Sequence, residues 1–410
     1  MDNFTETLKK YAKLAVEIGV NIQKDQTLVV NAPIECAEFV RLIAECAYDK
    51  GAKNVNVRWN DEKLSHIKYL KAPDEAFKEY PEWDAKGLEE LAKGGAAFLS
   101  IAASDPELFK DVNPARISEY MKTASNALKA YREYMMNSFV AWCVISVPTK
   151  GWAKKVFPEV SEDTAVEKLW ENIFNIVRVD KDDPVEAWND HLKNINEKVE
   201  FLNNKKFKKL YYKSKDTDLT IELPENHIWA GGGEYNRDKT YFVANMPTEE
   251  VFTLPLKTGV NGVVKSTKPL NYSGNLIDNF TLTFKDGKIV DFSAEEGYDT
   301  LKKLIETDEG SHYLGEVALV PYDSPISNSN IVFFNTLFDE NASCHLALGA
   351  AYPSCLEGGS EMNEEALEKA GANTSLTHVD FMIGSKELDI IGETSNGEKI
   401  DVFKNGNWAF

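Results

Sequence analysis

The chain has 410 residues, 43% of them hydrophobic and 27% charged, a balance that fits a globular protein with more than one core. Its 66 acidic residues outnumber 46 basic ones and leave a net charge of −20, which argues against a nucleic-acid partner because phosphate binding needs a basic surface. The same charge favours solubility and suits a cationic ligand such as a peptide α-amino group.

The start, Met1-Asp2-Asn3-Phe4-Thr5-Glu6, lacks the basic-then-apolar pattern of a secretory leader. No apolar run reaches the roughly 18 residues of a membrane span. The five cysteines, Cys36, Cys46, Cys143, Cys344 and Cys355, are odd in number and form no C-x-x-C pair. That pattern predicts a reducing compartment without disulfides, so the expected location is cytoplasmic.

The chain opens with a helical stripe, Phe4, Leu8, Tyr11, Ala15 and Ile18, that stops at Gly19. Thr27 to Ala32 reads as a buried strand, Ile34 to Lys50 as a helix, and Val55, Val57 and Trp59 alternate as a strand. This β-α-β order predicts a parallel sheet. Two or three helices are expected between Asp61 and Lys93, then a buried strand from Ala96 to Ile101. The expected organisation is an α/β domain over 1–110, followed by a larger α+β domain over 111–410 that carries the site.

In the second part, Asn113-Pro114 and Asp183-Pro184 each pair a capping side chain with proline at the first helical position. A strand is expected from Phe139 to Val147. Trp188, Leu192, Ile195, Val199 and Leu202 form a narrow apolar seam. Past Lys206 the chain turns β-rich. Asp286-Gly287 predicts a hairpin, and Asn261-Gly262, Asn396-Gly397 and Asn405-Gly406 suggest more. Gly231-Gly232-Gly233 has neither phosphate-loop spacing and is read as a tight turn.

Six histidines occur, three of them within the last hundred residues: His312, His345 and His378. In Thr377-His378-Val379-Asp380 the strand period turns His378 and Asp380 to one face, about 7 Å apart. Imidazole and carboxylate together suit a borderline divalent cation, although a surface pair on a half-exposed strand has the same spacing. His345 lies in a small-residue segment that Asn341 can cap. Were it helical, Tyr352 would share its face, and a satisfied core histidine is the plain alternative. Glu316 stands in the apolar run Gly315 to Val320, where a carboxylate is costly without a cation beside it, unless the strand is an edge facing water. Glu249 and Glu250 precede another apolar run, and an extended chain turns only one of them to a given site.

Five ordered motifs carry a resemblance. They are Pro247-Thr248-Glu249-Glu250-Val251-Phe252-Thr253, Leu314-Gly315-Glu316-Val317-Ala318, Ser324-Pro325-Ile326-Ser327, Asn335 through Ala347 and Thr377-His378-Val379-Asp380. Along essentially its whole length the chain resembles the M29 metallopeptidases, the thermophilic aminopeptidase family. The resemblance implies an aminopeptidase that removes N-terminal residues from peptides with a water activated by two divalent metal ions (Zn, Co, Mn or Mg). It implies Glu250, Glu316, His345, His378 and Asp380 as metal ligands, Glu316 bridging, and Tyr352 as an active-site tyrosine. Glu249 is the expected general base, and a homodimer the expected assembly. A non-enzymatic metal- or peptide-binding scaffold and a dinuclear phosphoesterase are the alternatives.

Overall fold

A computed structural model describes residues 2–272 and 275–410. Contacts divide the chain into two units: Met1–His191, Gly233–Pro247 and Val332–Leu337 form one, and Leu192–Gly232, Thr248–Ile331 and Phe338–Phe410 the other. Among the described residues no helix is long and apolar enough to cross a membrane.

The first unit is built on a parallel sheet of four strands in the order Asn54–Asn60, Thr27–Pro33, Ala97–Ile101, Trp142–Ile145. Leu28, Val29 and Val30 in its centre are fully buried, as expected of a strand covered on both faces. The crossover helix Ala37–Asp49 buries Phe39, Val40, Ile43 and Ala47, and the chain leaves it through Gly51 at φ +88°. Asp61, Asn113 and Ser161 each cap a helix by accepting a backbone N–H. Gly19 does not end the first helix as a left-handed cap. The chain stays helical there, as a π turn over Ala15–Gly19, and a Cβ on Gly19 would stand 2.9 Å from Cys143 Sγ.

The sequence pattern predicts an α/β domain over 1–110; the contact-defined unit includes residues through His191. The reason is Trp142–Ile145, which pairs with Ala97–Ile101 and extends the parallel sheet. Local pattern shows that such a strand exists but not which neighbour it joins.

The second unit holds a two-stranded sheet, Leu270–Tyr272 with Asn275–Ile277, and two large antiparallel ones. One has eight strands, running from Lys288–Ser293 at one edge to Asn407–Trp408 at the other. The other has five, in the order His378–Met382, His345–Gly349, Leu314–Leu319, Val251–Thr253, Ala230–Gly231. One core joins them, with Phe207, Leu210 and Tyr212 from the first sheet and Val317, Leu346 and Phe381 from the second.

Asp286 and Gly287 form the expected hairpin turn, both at positive φ, and Asn405-Gly406 forms another. Asn261-Gly262 does not turn. Gly262 lies inside the strand Val260–Lys265 at φ +121°, where a Cβ would come within 2.2 Å of the Asp218 carbonyl oxygen. Glycine there serves close strand approach.

The helical alternative for His345 is likewise not what forms. A turn over Glu340–Ala342 precedes it, and His345 opens a strand. Cys344, Leu346 and Leu348 alternate into the core, and that period of two decides the conformation.

Candidate metal centre

Side chains of the five-stranded sheet segregate to two faces. Partners across an antiparallel ladder share a face, so the strand register sorts them. Val251 pairs with Leu319, Val317 with Leu346, Leu346 with Phe381, and Leu348 with Val379. All belong to, or pack against, the core. On the opposite face one row runs Phe252, Ala318, His345, Met382, and the next runs Glu316, Ala347, Asp380, with His378 opposite Gly349. Four neighbouring strands thus bring their polar side chains to one surface, Glu250 immediately preceding its strand.

A bulge makes this possible. Leu314 pairs with Leu348 on the core face, yet Glu316, two residues on, pairs with Ala347 on the other. An uninterrupted strand would turn both the same way. Gly315 is the extra residue that re-aims Glu316. Its place is tight, since a Cβ there would lie 2.2 Å from Ala350 O and 2.4 Å from Gly349 O. Gly349, at φ +110°, is equally close to Thr377 O, at 2.1 Å. These glycines let the strands that carry Glu316 and His345 approach their neighbours at the end where His378 begins.

The distances follow from that register. His345 Nε2 is 3.1 Å from Glu250 Oε2 and 3.5 Å from Glu316 Oε1. His378 Nε2 is 3.4 Å from Glu316 Oε2 and 3.4 Å from Asp380 Oδ1. Glu316 therefore gives one oxygen to each histidine. Two donor groups, Glu250 with Glu316 and His345, and Glu316 with His378 and Asp380, each hold ligand atoms within 4.8 Å of one another. They share Glu316.

Both imidazoles are oriented from behind. Nδ1 lies 3.1 Å from Ser343 O in His345 and 2.7 Å from Ala350 O in His378. A carbonyl only accepts, so Nδ1 carries the hydrogen and donates it, leaving Nε2 to face the carboxylates. This is the arrangement that backs a metal-binding histidine.

The electrostatics demand positive charge. Burial disfavours charge on both histidines, but Glu250 and Glu316 beside His345, and Asp380 and Glu316 beside His378, raise them well above their ordinary range. Burial pushes the Glu316 carboxyl up, yet hydrogen bonds from His345 and His378 outweigh it and hold the group down at about 2. Glu250, with one histidine only, is raised by burial. Asp380 Oδ1 is buried and accepts no well-formed hydrogen bond, with His378 Nε2 standing 3.4 Å away. A buried acceptor served only by a long contact, beside two correctly backed imidazoles and several acids, fits a divalent cation better than it fits the protein alone.

Tyr352 sits on a loop, its ring 4.8 Å from that of His378 and 5.9 Å from that of Phe252. Burial and the Glu316 and Asp380 carboxylates raise its phenol well above 10, so it keeps its proton. Glu249 is buried, and its backbone N–H donates to Asn341 Oδ1 at 2.8 Å. Glu340 escaped the sequence reading. Burial, then the Asp380 and Glu250 carboxylates, push it well above the ordinary carboxylate range, so it belongs to the same cluster. The available signal was an acid five residues before His345, on a segment read as a helix start.

The chain is similar to known proteins along its whole length. The sequence model of the thermophilic metalloproteases (M29) matches residues 4–408. Aminopeptidase AmpS of Bacillus subtilis (strain 168) is 58% identical over 410 residues, covering 100% of both chains. Aminopeptidase 2 of Geobacillus stearothermophilus is 55% identical, covering 100% of this chain and 99% of its own. The solved structure of wild-type AmpT from Thermus thermophilus superposes with a TM-score of 0.94 at 39% identity, covering 99% of this chain and 100% of that one. With its length matched from end to end and its site built as described, the chain belongs to the M29 family of thermophilic metalloproteases.

Proposed function

We propose that the protein is a metal-dependent aminopeptidase with two divalent ions in its site. One observation carries the reading: Glu316 is common to two donor groups and turns one oxygen toward each. Glu250, Glu316 and His345 would hold one ion, and Glu316, His378 and Asp380 the other. Glu340 shares the electrostatic surroundings of Asp380 and Glu250. With both imidazoles neutral, the donor carboxylates Glu250, Glu316 and Asp380 carry −3, an acidic site suited to divalent cations.

Bound there, divalent ions supply Lewis acidity for the peptide carbonyl and an activated water. The chain's own groups do the rest. Acidic side chains attract the free α-amino group of the substrate. Tyr352, held protonated, donates a hydrogen bond to the oxygen that develops negative charge. Glu249 takes a proton from the water and returns it to the leaving amine. The family likeness further supports peptides with a free N-terminus as substrates, a homodimer and a cytoplasmic location.

The test is to strip the protein with chelator, add back Zn²⁺, Co²⁺, Mn²⁺ or Mg²⁺, and assay free-amino and N-blocked substrates side by side. Hydrolysis restricted to free-amino substrates and restored by metal is expected. Equal rates on blocked substrates would remove the aminopeptidase reading. No hydrolysis with any metal would favour a scaffold, and hydrolysis of phosphate esters alone a phosphoesterase.

A further inference from the structure

The ligand face of the five-stranded sheet is acidic or small-chained at most positions, with an aromatic corner at one side. Phe252 stands two residues after Glu250, on the face that carries His345, in the row Phe252, Ala318, His345. Two strand spacings separate it from His345, about 10 Å. Only the methyl group of Ala318 lies between them in that row. Phe252 is half-buried, whereas Ala318 is fully buried and His345 nearly so. Its ring meets that of Tyr352 edge to face at 5.9 Å, and Tyr352 in turn lies 4.8 Å from His378. Behind both aromatics is a small apolar cluster of Leu254, Cys355, Leu356, Leu367 and Ala372. The corner is therefore backed by packed side chains, as a selective pocket wall requires.

We infer that Phe252, with Tyr352 beside it, is the wall that receives the side chain of the substrate's N-terminal residue. The inference rests on the aminopeptidase reading of the site. With the α-amino group and first carbonyl held at the donor groups, the side chain on the intervening carbon must lie against a neighbouring surface. Carboxylates offer it nothing if it is apolar, whereas the half-open face of Phe252 offers burial. The preferred N-terminal residues are then large and apolar, Leu and Phe above Ala and Gly. Phe252 sets this preference without taking part in the bond-breaking step.

The experiment measures kcat/KM of the metal-loaded protein on Leu-, Phe- and Ala-p-nitroanilide for wild type, Phe252→Ala and Phe252→Leu. The readout is the ratio of Leu or Phe to Ala within each preparation, which is insensitive to any loss of folded protein. Phe252→Ala should lower that ratio by about tenfold or more, as hydrophobic pocket contacts do, and Phe252→Leu should restore much of it. A ratio within about threefold of wild type in Phe252→Ala overturns the assignment. If the wild type cleaves N-blocked and free-amino substrates equally, the aminopeptidase reading falls instead, whatever the ratio.

Discussion

Asn341, fully buried, accepts the backbone N–H of Glu249 at 2.8 Å and thereby ties the residue before Glu250 to the turn that leads into His345. Two donor-bearing segments far apart in sequence are fixed to each other by one side-chain amide. Asn341→Ala leaves that buried N–H unpaired and should cost about 1–3 kcal/mol of stability. It should also lower metal affinity at temperatures where the protein remains folded. Thermal melts and a chelator competition measure the two effects. A variant that melts lower yet binds metal like wild type would reduce Asn341 to a packing residue. In the same segment, Glu249→Gln tests the base proposed for proton transfer. Its pH–rate profile should lose one limb, and an unchanged profile and turnover would remove Glu249 from proton transfer.

Gly315 is the residue that turns Glu316 to the ligand face, and it has no room for a methyl group, with Ala350 O 2.2 Å from where a Cβ would stand. Gly315→Ala should cost about 1–3 kcal/mol by overpacking. Its larger consequence is on the site, because relief of the clash must shift Glu316 or the Ala350 carbonyl that holds His378. Activity with saturating metal should fall by about tenfold or more, the scale of a small displacement of catalytic groups. Wild-type turnover in a folded Gly315→Ala protein would contradict the role given to the bulge.

Asp308 clamps the loop that feeds the His378 strand, accepting from Ser311 N at 2.8 Å, Ser375 Oγ at 2.8 Å and Leu376 N at 2.5 Å. Burial pushes its carboxyl up, but the hydrogen bonds, that from Leu376 first, outweigh it and hold the group below its ordinary 3.8. A depressed folded-state value means stability that is present above 3.8 and lost as pH falls through the folded value. Asp308→Asn should therefore lower the melting temperature near pH 7, with the gap to wild type closing as the pH drops below about 3.8. A gap that stays constant with pH would show that the carboxylate charge contributes nothing.

His345 and His378 hold protons well above the usual imidazole range in the metal-free protein, because carboxylates surround them. A cation must displace those protons. Metal binding should release protons, and apparent affinity should rise with pH across neutrality. Calorimetry in two buffers of different ionisation enthalpy reads the release directly. Identical heats in both buffers would mean that no proton leaves.

The parts of the site that a local period can encode were legible. His378 and Asp380 share a face because Val379 and Phe381 alternate with them into the core, and Glu316 was conspicuous as an acid in an apolar run. What depends on pairing between strands was not legible. The bulge at Gly315 exists only as a register shift against the His345 strand, and nothing in Leu314-Gly315-Glu316 alone announces it. Asn261-Gly262 misled for the same reason, since a close-approaching strand asks for glycine as strongly as a turn does. Glu340 was passed over because its environment is set by Asp380 and Glu250, which lie on other strands. The extent of the first unit turned on the neighbour of Trp142–Ile145, again a long-range choice.

In the proposed site Glu316 serves two divalent ions at once. The most direct measurement is the number of metal ions bound per chain after chelator stripping and reloading, for wild type, His345→Ala and Glu316→Gln. Two are expected for the wild type, one for His345→Ala, which keeps Glu316, His378 and Asp380 intact, and loss or severe weakening of both for Glu316→Gln. A wild type that binds a single ion, or a Glu316→Gln protein that still holds two at wild-type affinity, would contradict it.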